Sequence, residues 1–332
     1  MKKIKVVQIG IGPLGQKITR YILEREAIRI VAAVDLDPGK AGKDLGEVCG
    51  LKSMGIPIAP SLARALKAGK ADAAVLTTVS DMIRITPQIE EILSFGLPVV
   101  STCEELSYPW ETSPQLAGRI DQAARARGLA VLATGVNPGY LMDSLPLVLT
   151  AVCQRVDRIR VSRLQNAAFR RLPFQKKIGA GLSLEQFEVK KLAGTLRHVG
   201  LTESMHMIAS RLGWKLDRTE EVLTPVIARQ KIVTEALTIP AGYASGVQQI
   251  GRGFVGGEER ITLIFRASVG EPASEDTVEI EGEPRIVSRI EGGVNGDVAT
   301  CAIALNALKQ VLRAQPGLRT MADIPLVSYF SA

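Results

Sequence analysis

Aromatic residues make up only 4% of this 332-residue chain, and it has two histidines and four cysteines. Each shortage excludes something. Nucleic-acid binding surfaces interleave basic residues with stacking aromatics; with so few aromatics, no nucleic-acid partner is expected. His198 and His206 lack a third ligand at metal-binding spacing, so no metal site is expected. Cys49, Cys103, Cys153 and Cys301 are scattered without a CxxC pair, which argues against a metal knuckle and a disulfide framework and for a reducing, cytoplasmic setting. No apolar run approaches the ~18 residues of a membrane span. The start, MKKIKVV, runs into a strand pattern instead of an apolar leader with a cleavage site. Neither a membrane partner nor a targeting segment is expected.

What remains is ordinary for a globular enzyme: 46% hydrophobic residues, 23% charged, and length enough for two domains. Lysine and arginine outnumber acids by 41 to 34, a net charge of +7. The excess is local. Between Arg155 and Lys177 there are eight basic residues and one acid, Asp157. Such a cluster suits a small anionic ligand or a polar interface.

The strongest motif comes first. An apolar strand at residues 4–9 leads into Gly10-Ile11-Gly12-Pro13-Leu14-Gly15, a complete GxGxxG, and then into a helical pattern. A second apolar strand, residues 28–34, ends at Asp35, twenty residues beyond Gly15. Gly10 permits the tight turn, Gly12 lets backbone N–H groups reach a pyrophosphate, and Gly15 lets helix and strand pack closely. Asp35 can accept hydrogen bonds from the adenosine ribose. Its carboxylate argues for NAD. Lys40 and Lys43 leave NADP possible, because either could meet a 2′-phosphate if Asp35 turned away.

Further strands at residues 73–77, 97–100 and 129–133 alternate with helical patterns, with other helical stretches expected around residues 39–49 and 61–68. This grammar predicts a Rossmann-type α/β domain with a doubly wound parallel sheet. In such sheets ligands bind beyond the carboxyl ends of the strands. The polar residues there are Thr77, Thr78 and Ser80, then Glu104 and Glu105, then Thr134, Gly135 and Asn137. The first and last groups are cofactor-binding candidates, with Asn137 able to hold either nicotinamide carboxamide or substrate. The paired glutamates, Glu104 and Glu105, are candidates for proton transfer.

After Gly139 the pattern changes. A helix is expected over residues 140–152 and a strand over 158–165, in which Arg163 and Gln165 share the inward parity of Ile159 and Val161. A buried arginine needs a partner, and a substrate carboxylate or an internal acid would serve equally. Ser183 and Gln186 have capping-box spacing, a helix follows over 202–212, and strands follow over 260–267, 277–280 and 285–290. Tyr140, Arg163, Gln165, Arg170 and His198 join Asn137 as substrate-binding candidates. The last helix, residues 298–313, is expected to rejoin the first domain. The expected domains are therefore a discontinuous dinucleotide-binding domain, 1–138 plus 292–332, and an α+β substrate-binding and dimerisation domain, 139–291.

STCEELSYPW, TGVNPGYLMDSLP, RRLPFQKKIGAG, RHVGLTESMHMIASRLGW and GGVNGDVAT together resemble the 2,4-diaminopentanoate dehydrogenases and related native amine dehydrogenases over nearly the whole chain. The resemblance implies NAD(P)-dependent oxidative deamination of an amine to a ketone plus ammonia, reversible as reductive amination. It also implies a homodimer, with an active-site glutamate in the motif matched by Cys103-Glu104-Glu105. The late family motif often carries a histidine where this chain has Asn295, so no role transfers there. Two other readings stand beside it. One is a cyclic-imine reductase of the dihydrodipicolinate reductase type, whose HHxxKxDAPSGT signature is absent. The other is a non-catalytic dinucleotide-binding sensor, which would leave Glu104, Asn137 and Arg163 without a purpose.

Overall fold

Short apolar runs alternating with amphipathic helices shape the first part of the chain in the computed structural model, which describes residues 3–168, 172–196, 198–235 and 237–331. In order come β1 (Ile4–Ile9), α1 (Pro13–Leu23), β2 (Ile28–Val34), α2 (Leu45–Val48), β3 (Ile58–Ala59), α3 (Leu62–Ala65), β4 (Ala73–Leu76), α4 (Met82–Ser94), β5 (Val99–Ser101), α5 (Pro114–Ala126) and β6 (Ala130–Ala133). Next are α6 (Ser144–Leu149), β7 (Arg155–Asn166), α7 (Leu172–Lys177), α8 (Leu184–Leu192), α9 (Leu201–Leu212), β8 (Arg218–Ile227), β9 (Ile232–Val233), β10 (Thr238–Ile239), β11 (Ala244–Val255), β12 (Glu258–Ser268), β13 (Glu275–Glu283) and β14 (Ile286–Glu291). The chain closes with α10 (Gly296–Val311) and β15 (Gly317–Arg319). Two units result, Met1–Tyr140 with Asn295–Ala332, and Leu141–Val294. Among the described residues no helix is long and apolar enough to cross a membrane.

The first unit is a seven-stranded parallel sheet in the order β15-β6-β5-β4-β1-β2-β3. Helices cover both faces of such a sheet, so its strands read as unbroken apolar runs; β4 and β6 are buried at every position. The order reverses between β1 and β4, and that reversal opens the crevice where this architecture binds ligands. On α1 the buried residues Gly15, Ile18, Thr19 and Ile22 form one stripe at helical spacing. The expected helix around residues 39–49 shrinks to α2, because the Asp44 carboxylate accepts from the N–H groups of Gly46, Met54 and Ile56. Those bonds gather a loop around one acid instead of extending a helix.

The second unit is built on a six-stranded mixed sheet, β14-β13-β7-β12-β11-β8, in which only β7 and β12 run parallel. Ile159, Val161, Arg163 and Gln165 are the buried residues of β7's second half, as the parity predicts. The helix expected over residues 140–152 is shorter. Gly139 is left-handed at φ +121°, the Asp143 carboxylate accepts from Ser144 N and starts α6 there, and a 3-10 turn over Thr150–Val152 ends it. The capping box at Ser183 and Gln186 is present.

Register also explains half of the basic cluster. β7 carries four of its arginines, and its antiparallel neighbour β13 reads EDTVEIEGE. Arg155 lies opposite Glu283, Arg158 opposite Glu281, Arg160 opposite Glu279 and Arg163 opposite Asp276. These cations face acids of their own sheet, so they do not call for an anionic ligand. Opposite charges directly across a sheet contribute roughly 0.2–1 kcal/mol a pair, and like charges there destabilise. Arg158→Glu and Glu281→Arg should each lower stability, by up to about 1 kcal/mol. The double exchange should recover most of the loss in urea unfolding, and additive losses would show that the register pair carries no energy.

Candidate functional site

The glycine turn is fixed from below. Gln8, the lone polar residue in the buried half of β1, donates to Gly10 O at 3.2 Å and Thr77 Oγ1 at 2.9 Å. Thr77 Oγ1 also donates to Gly10 O, at 2.8 Å. Gly10 adopts φ +87°, and a Cβ there would sit 2.7 Å from Thr77 O. A Cβ on Gly15 would lie 1.9 Å from Gly10 O, so only glycine lets α1 come this close. Gly12 differs: a Cβ there would meet nothing within 4 Å, and α1 has no side-chain cap. Its first N–H groups are therefore uncapped by any side chain, the condition for receiving an anion.

Two cavities open on this turn. The first, about 410 Å³, is lined by Gly10, Gly12, Asp35, Lys40, Ser61, Thr78, Arg84 and Gln88, among others. Asp35 accepts from Ile11 N at 2.7 Å and Asp37 N at 2.9 Å. Lys40 Nζ lies 3.1 Å from Asp35 and 3.4 Å from Asp37. Burial works to raise the Asp35 pKa, but the Asp37 and Ile11 N–H groups and Lys40 outweigh it, and the net shift is downward. A ribose would meet an ionised acceptor.

The second cavity, about 380 Å³, is lined by Gly12, Pro13 and Leu14, by Thr77 to Ser80, by Thr102, Cys103 and Glu104, by Thr134, Gly135, Asn137 and Pro138, and by Gly296, Asp297 and Thr300. Each group follows the carboxyl end of a strand or opens a helix. Glu104 is half-buried, and its Oε2 is enclosed with no hydrogen-bond partner. Glu105 turns away: its Oε2 accepts from Met82 N at 2.9 Å, at the start of α4. Burial pushes the Cys103 thiol up, so it is a neutral neighbour. Thr134 is buried with its Oγ1 likewise unpartnered, and Thr300 Oγ1 accepts from Val136 N at 3.2 Å, steadying the loop.

The first unit thus gathers Gly12, Pro13, Leu14, Thr77, Thr78, Ser80, Glu104, Thr134, Gly135 and Asn137 around one cavity, while Glu105 and Tyr140 do not line it. Thr102, Asp297 and Thr300 went unnoticed in the sequence; a strand-end or helix-start position was their only signal. Asn295 caps α10, its Oδ1 accepting from Asp297 N and Val298 N.

In the second unit Arg163 is 3% exposed, with Nε 3.8 Å from Asp276 and Nη2 donating to Val294 O at 2.7 Å. Of the two partners open to it, the structure contains the internal acid. Burial raises the Asp276 pKa, opposed by Arg163 and by Val294 N–H. Gln165 is buried, donating to Leu164 O. His198 is clamped by Gln249, which accepts from His198 N at 2.7 Å and donates to His198 O at 3.0 Å, and its ring lies 4.6 Å from that of Phe265. Its Nδ1 is enclosed without a partner. Burial first, then the Arg163 and Lys177 charges, push its pKa down to about 3. Arg170 lies outside the described residues. Among those described, no group of three His, Cys, Asp or Glu side chains is placed to hold a metal.

Comparison with known proteins gives the family. The family model described as the 2,4-diaminopentanoate dehydrogenase C-terminal domain matches residues 140–331. One described as a CoA binding domain matches residues 1–93, the segment with the glycine turn. The chain is 31% identical to a 2,4-diaminopentanoate dehydrogenase of Acetoanaerobium sticklandii, covering 98% of this chain and 94% of that one. It is 24% identical to an amine dehydrogenase of Streptomyces virginiae, covering 97% and 96%. In fold it is similar to the amine dehydrogenase structure from Mycobacterium smegmatis, with a TM-score of 0.84 at 23% identity over 99% of this chain and 98% of the other. The family match spans well over half of the chain and the relatives span nearly all of it: the protein belongs to the 2,4-diaminopentanoate dehydrogenase family.

Proposed function

We propose that the protein catalyses NAD(P)-dependent oxidative deamination of an amine or diamino acid of the 2,4-diaminopentanoate type, giving a ketone and ammonia, reversible as reductive amination. The observation that carries this is Glu104 Oε2, enclosed and unpartnered in the cavity that also receives the open end of α1. The family and the named relatives supply the substrate class.

The residues fit a nicotinamide dinucleotide: the uncapped N–H groups after Gly12 for the pyrophosphate, Asp35 for the ribose, and Thr134, Gly135 and Asn137 beside the ring. Asp35 favours NAD, with NADP also accepted. When bound, NAD(P)+ supplies the hydride acceptor, so that amine, water and NAD(P)+ become ketone, ammonia, NAD(P)H and a proton. Glu104 handles the protons. An ammonium nitrogen has no lone pair to form the C=N bond, so Glu104 first accepts its proton. Once that proton has passed to solvent, the carboxylate accepts one from the water that adds to the imine carbon, and the carboxyl group so formed gives it to the departing nitrogen. Glu105, committed to Met82 N, has the structural share of the pair. Tyr140, Gln165, Arg170 and His198 remain the proposed contacts for the rest of the substrate, while Arg163 is answered by Asp276. A homodimer, implied by family resemblance, and a cytoplasmic location complete the proposal.

Glu104→Gln should lower kcat by about 10²–10⁴, the usual worth of an acid–base group, while NADH still binds. Glu105→Ala should instead cost about 0.5–2 kcal/mol of stability, as lost helix caps do. Near-normal turnover of Glu104→Gln with bound nucleotide would refute the assignment.

His198 makes a pH prediction. Its folded pKa, about 3, lies below the ordinary 6.5. Between those values the unfolded chain binds the extra proton, so stability falls as pH drops from 6.5 towards 3. His198→Phe should flatten that slope by up to roughly one proton; an unchanged difference in stability from pH 7 to 4 would contradict it. Sedimentation should show a species at twice the 35.6 kDa chain mass, and a monomer would exclude the dimer.

A further inference from the structure

One buried hydroxyl in the Glu104 cavity is without a partner. Thr77 Oγ1 donates to Gly10 O, Thr78 Oγ1 to Gln88 Oε1, and Thr300 Oγ1 accepts from Val136 N. Thr134 lines the same cavity, is 2% exposed, and its Oγ1 bonds to nothing in the protein. Its backbone is fixed, since Thr134 N donates to Ser101 O at 2.9 Å and continues the pairing of β5 with β6. Valine would fill the same volume, and a buried hydroxyl without a hydrogen bond is destabilising. Packing therefore gives no reason for threonine. The chain also keeps that oxygen clear. Gly139 is left-handed at φ +121°, and a Cβ on it would stand 2.8 Å from Thr134 Oγ1.

Glu104 Oε2, in the same cavity, is likewise enclosed and unpartnered, so the two oxygens are not bonded to each other. An ionised carboxylate only accepts hydrogen bonds, and a threonine oxygen can accept as well. A molecule held by both must bring two donors. Water does, and water is a reactant. To add to an imine carbon it must turn a lone pair to that carbon, which holding both of its O–H groups enforces. We propose, on the amine-oxidation reading above, that Thr134 Oγ1 and Glu104 together hold the water that adds to the imine carbon. In that step the water oxygen bonds to the carbon, the C=N π pair passes to nitrogen, and one water proton goes to the Glu104 carboxylate. Thr134 accepts from the other O–H and neither gains nor loses a proton.

The test compares the full-length protein with Thr134→Val and Thr134→Ser. In urea unfolding Thr134→Val should be at least as stable as the unaltered protein, because no bond within the protein is lost. Lower stability would give the hydroxyl a structural partner and overturn the assignment. Rapid mixing with NAD+ and 2,4-diaminopentanoate then follows NADH. In Thr134→Val the first NADH per site should form at the unaltered rate while later turnovers slow about tenfold, the worth of one hydrogen bond; Thr134→Ser should restore them. Later turnovers that are not slowed overturn the proposal. So does a first turnover slowed as much as the later ones, or a raised NADH Kd in fluorescence titration, either of which puts the hydroxyl on the substrate amine or the nicotinamide. Should the unaltered protein bind NADH yet oxidise no amine, the amine-oxidation reading itself fails, and the role of Thr134 with it.

Discussion

Contact between the backbone of α1 and the turn at Gly10 is the constraint on which the site depends. The 1.9 Å left between Gly10 O and a Cβ at Gly15 means that no side chain can stand between helix and strand. The axis of α1 therefore starts directly at the carboxyl end of β1. Gln8 and Thr77 then converge on Gly10 O, which a buried carbonyl needs as its own partner. Because β4 is the neighbour that supplies Thr77, the turn is tied to the reversal point of the sheet. Loops after β4, β5 and β6 are carried to the same end by parallel pairing alone. A carboxylate in one of them, Glu104, needs no special device to reach the cavity.

It does need a device to point the right way, and Glu105 provides one. Adjacent glutamates on a loop are chemically interchangeable until one of them is committed. Helix starts leave N–H groups without intrahelical partners, and Met82 N is such a group; Glu105 accepts from it. That bond fixes the short 3-10 turn Glu105–Ser107, with Ser107 N and Oγ both donating to Glu104 O. The Glu104 backbone is thereby held, and its side chain is left for the cavity. The pairing of the two acids thus serves orientation more than mutual electrostatics.

Much of this was legible in the sequence because it depends on short-range order. The glycine spacing, Asp35, the strand runs 4–9 and 28–34, the parity of Arg163 and Gln165 and the capping box at Ser183 are all local patterns with local causes. What was hidden depends on residues far apart along the chain. Nothing near Glu105 announces Met82 as its partner, 23 residues away. The arginines of β7 look like an unanswered cluster until β13, more than a hundred residues later, is set against them residue by residue. Thr300 reaches Val136 across 164 positions. Helix lengths also shortened for a tertiary reason at α2, where Asp44 collects N–H groups from beyond the helix.

Two helix starts border the cavity beside Glu104, and only one is open. At α10, Asn295 accepts from the N–H groups of Asp297 and Val298, and Asp297 adds a carboxylate to the first turn. Both features discharge the positive end of that helix. At α1 the cap position is Gly12, which has no side chain to offer, and Pro13 follows with no N–H to satisfy. No side chain caps the remaining N–H groups of the first turn, which keep their partial charge, and a Cβ on Gly12 would enter open space. An anionic ligand spanning the two cavities is therefore directed to α1 and away from α10. On the proposed dinucleotide reading the glycine loop takes the phosphates, and Asn295 removes the competing choice.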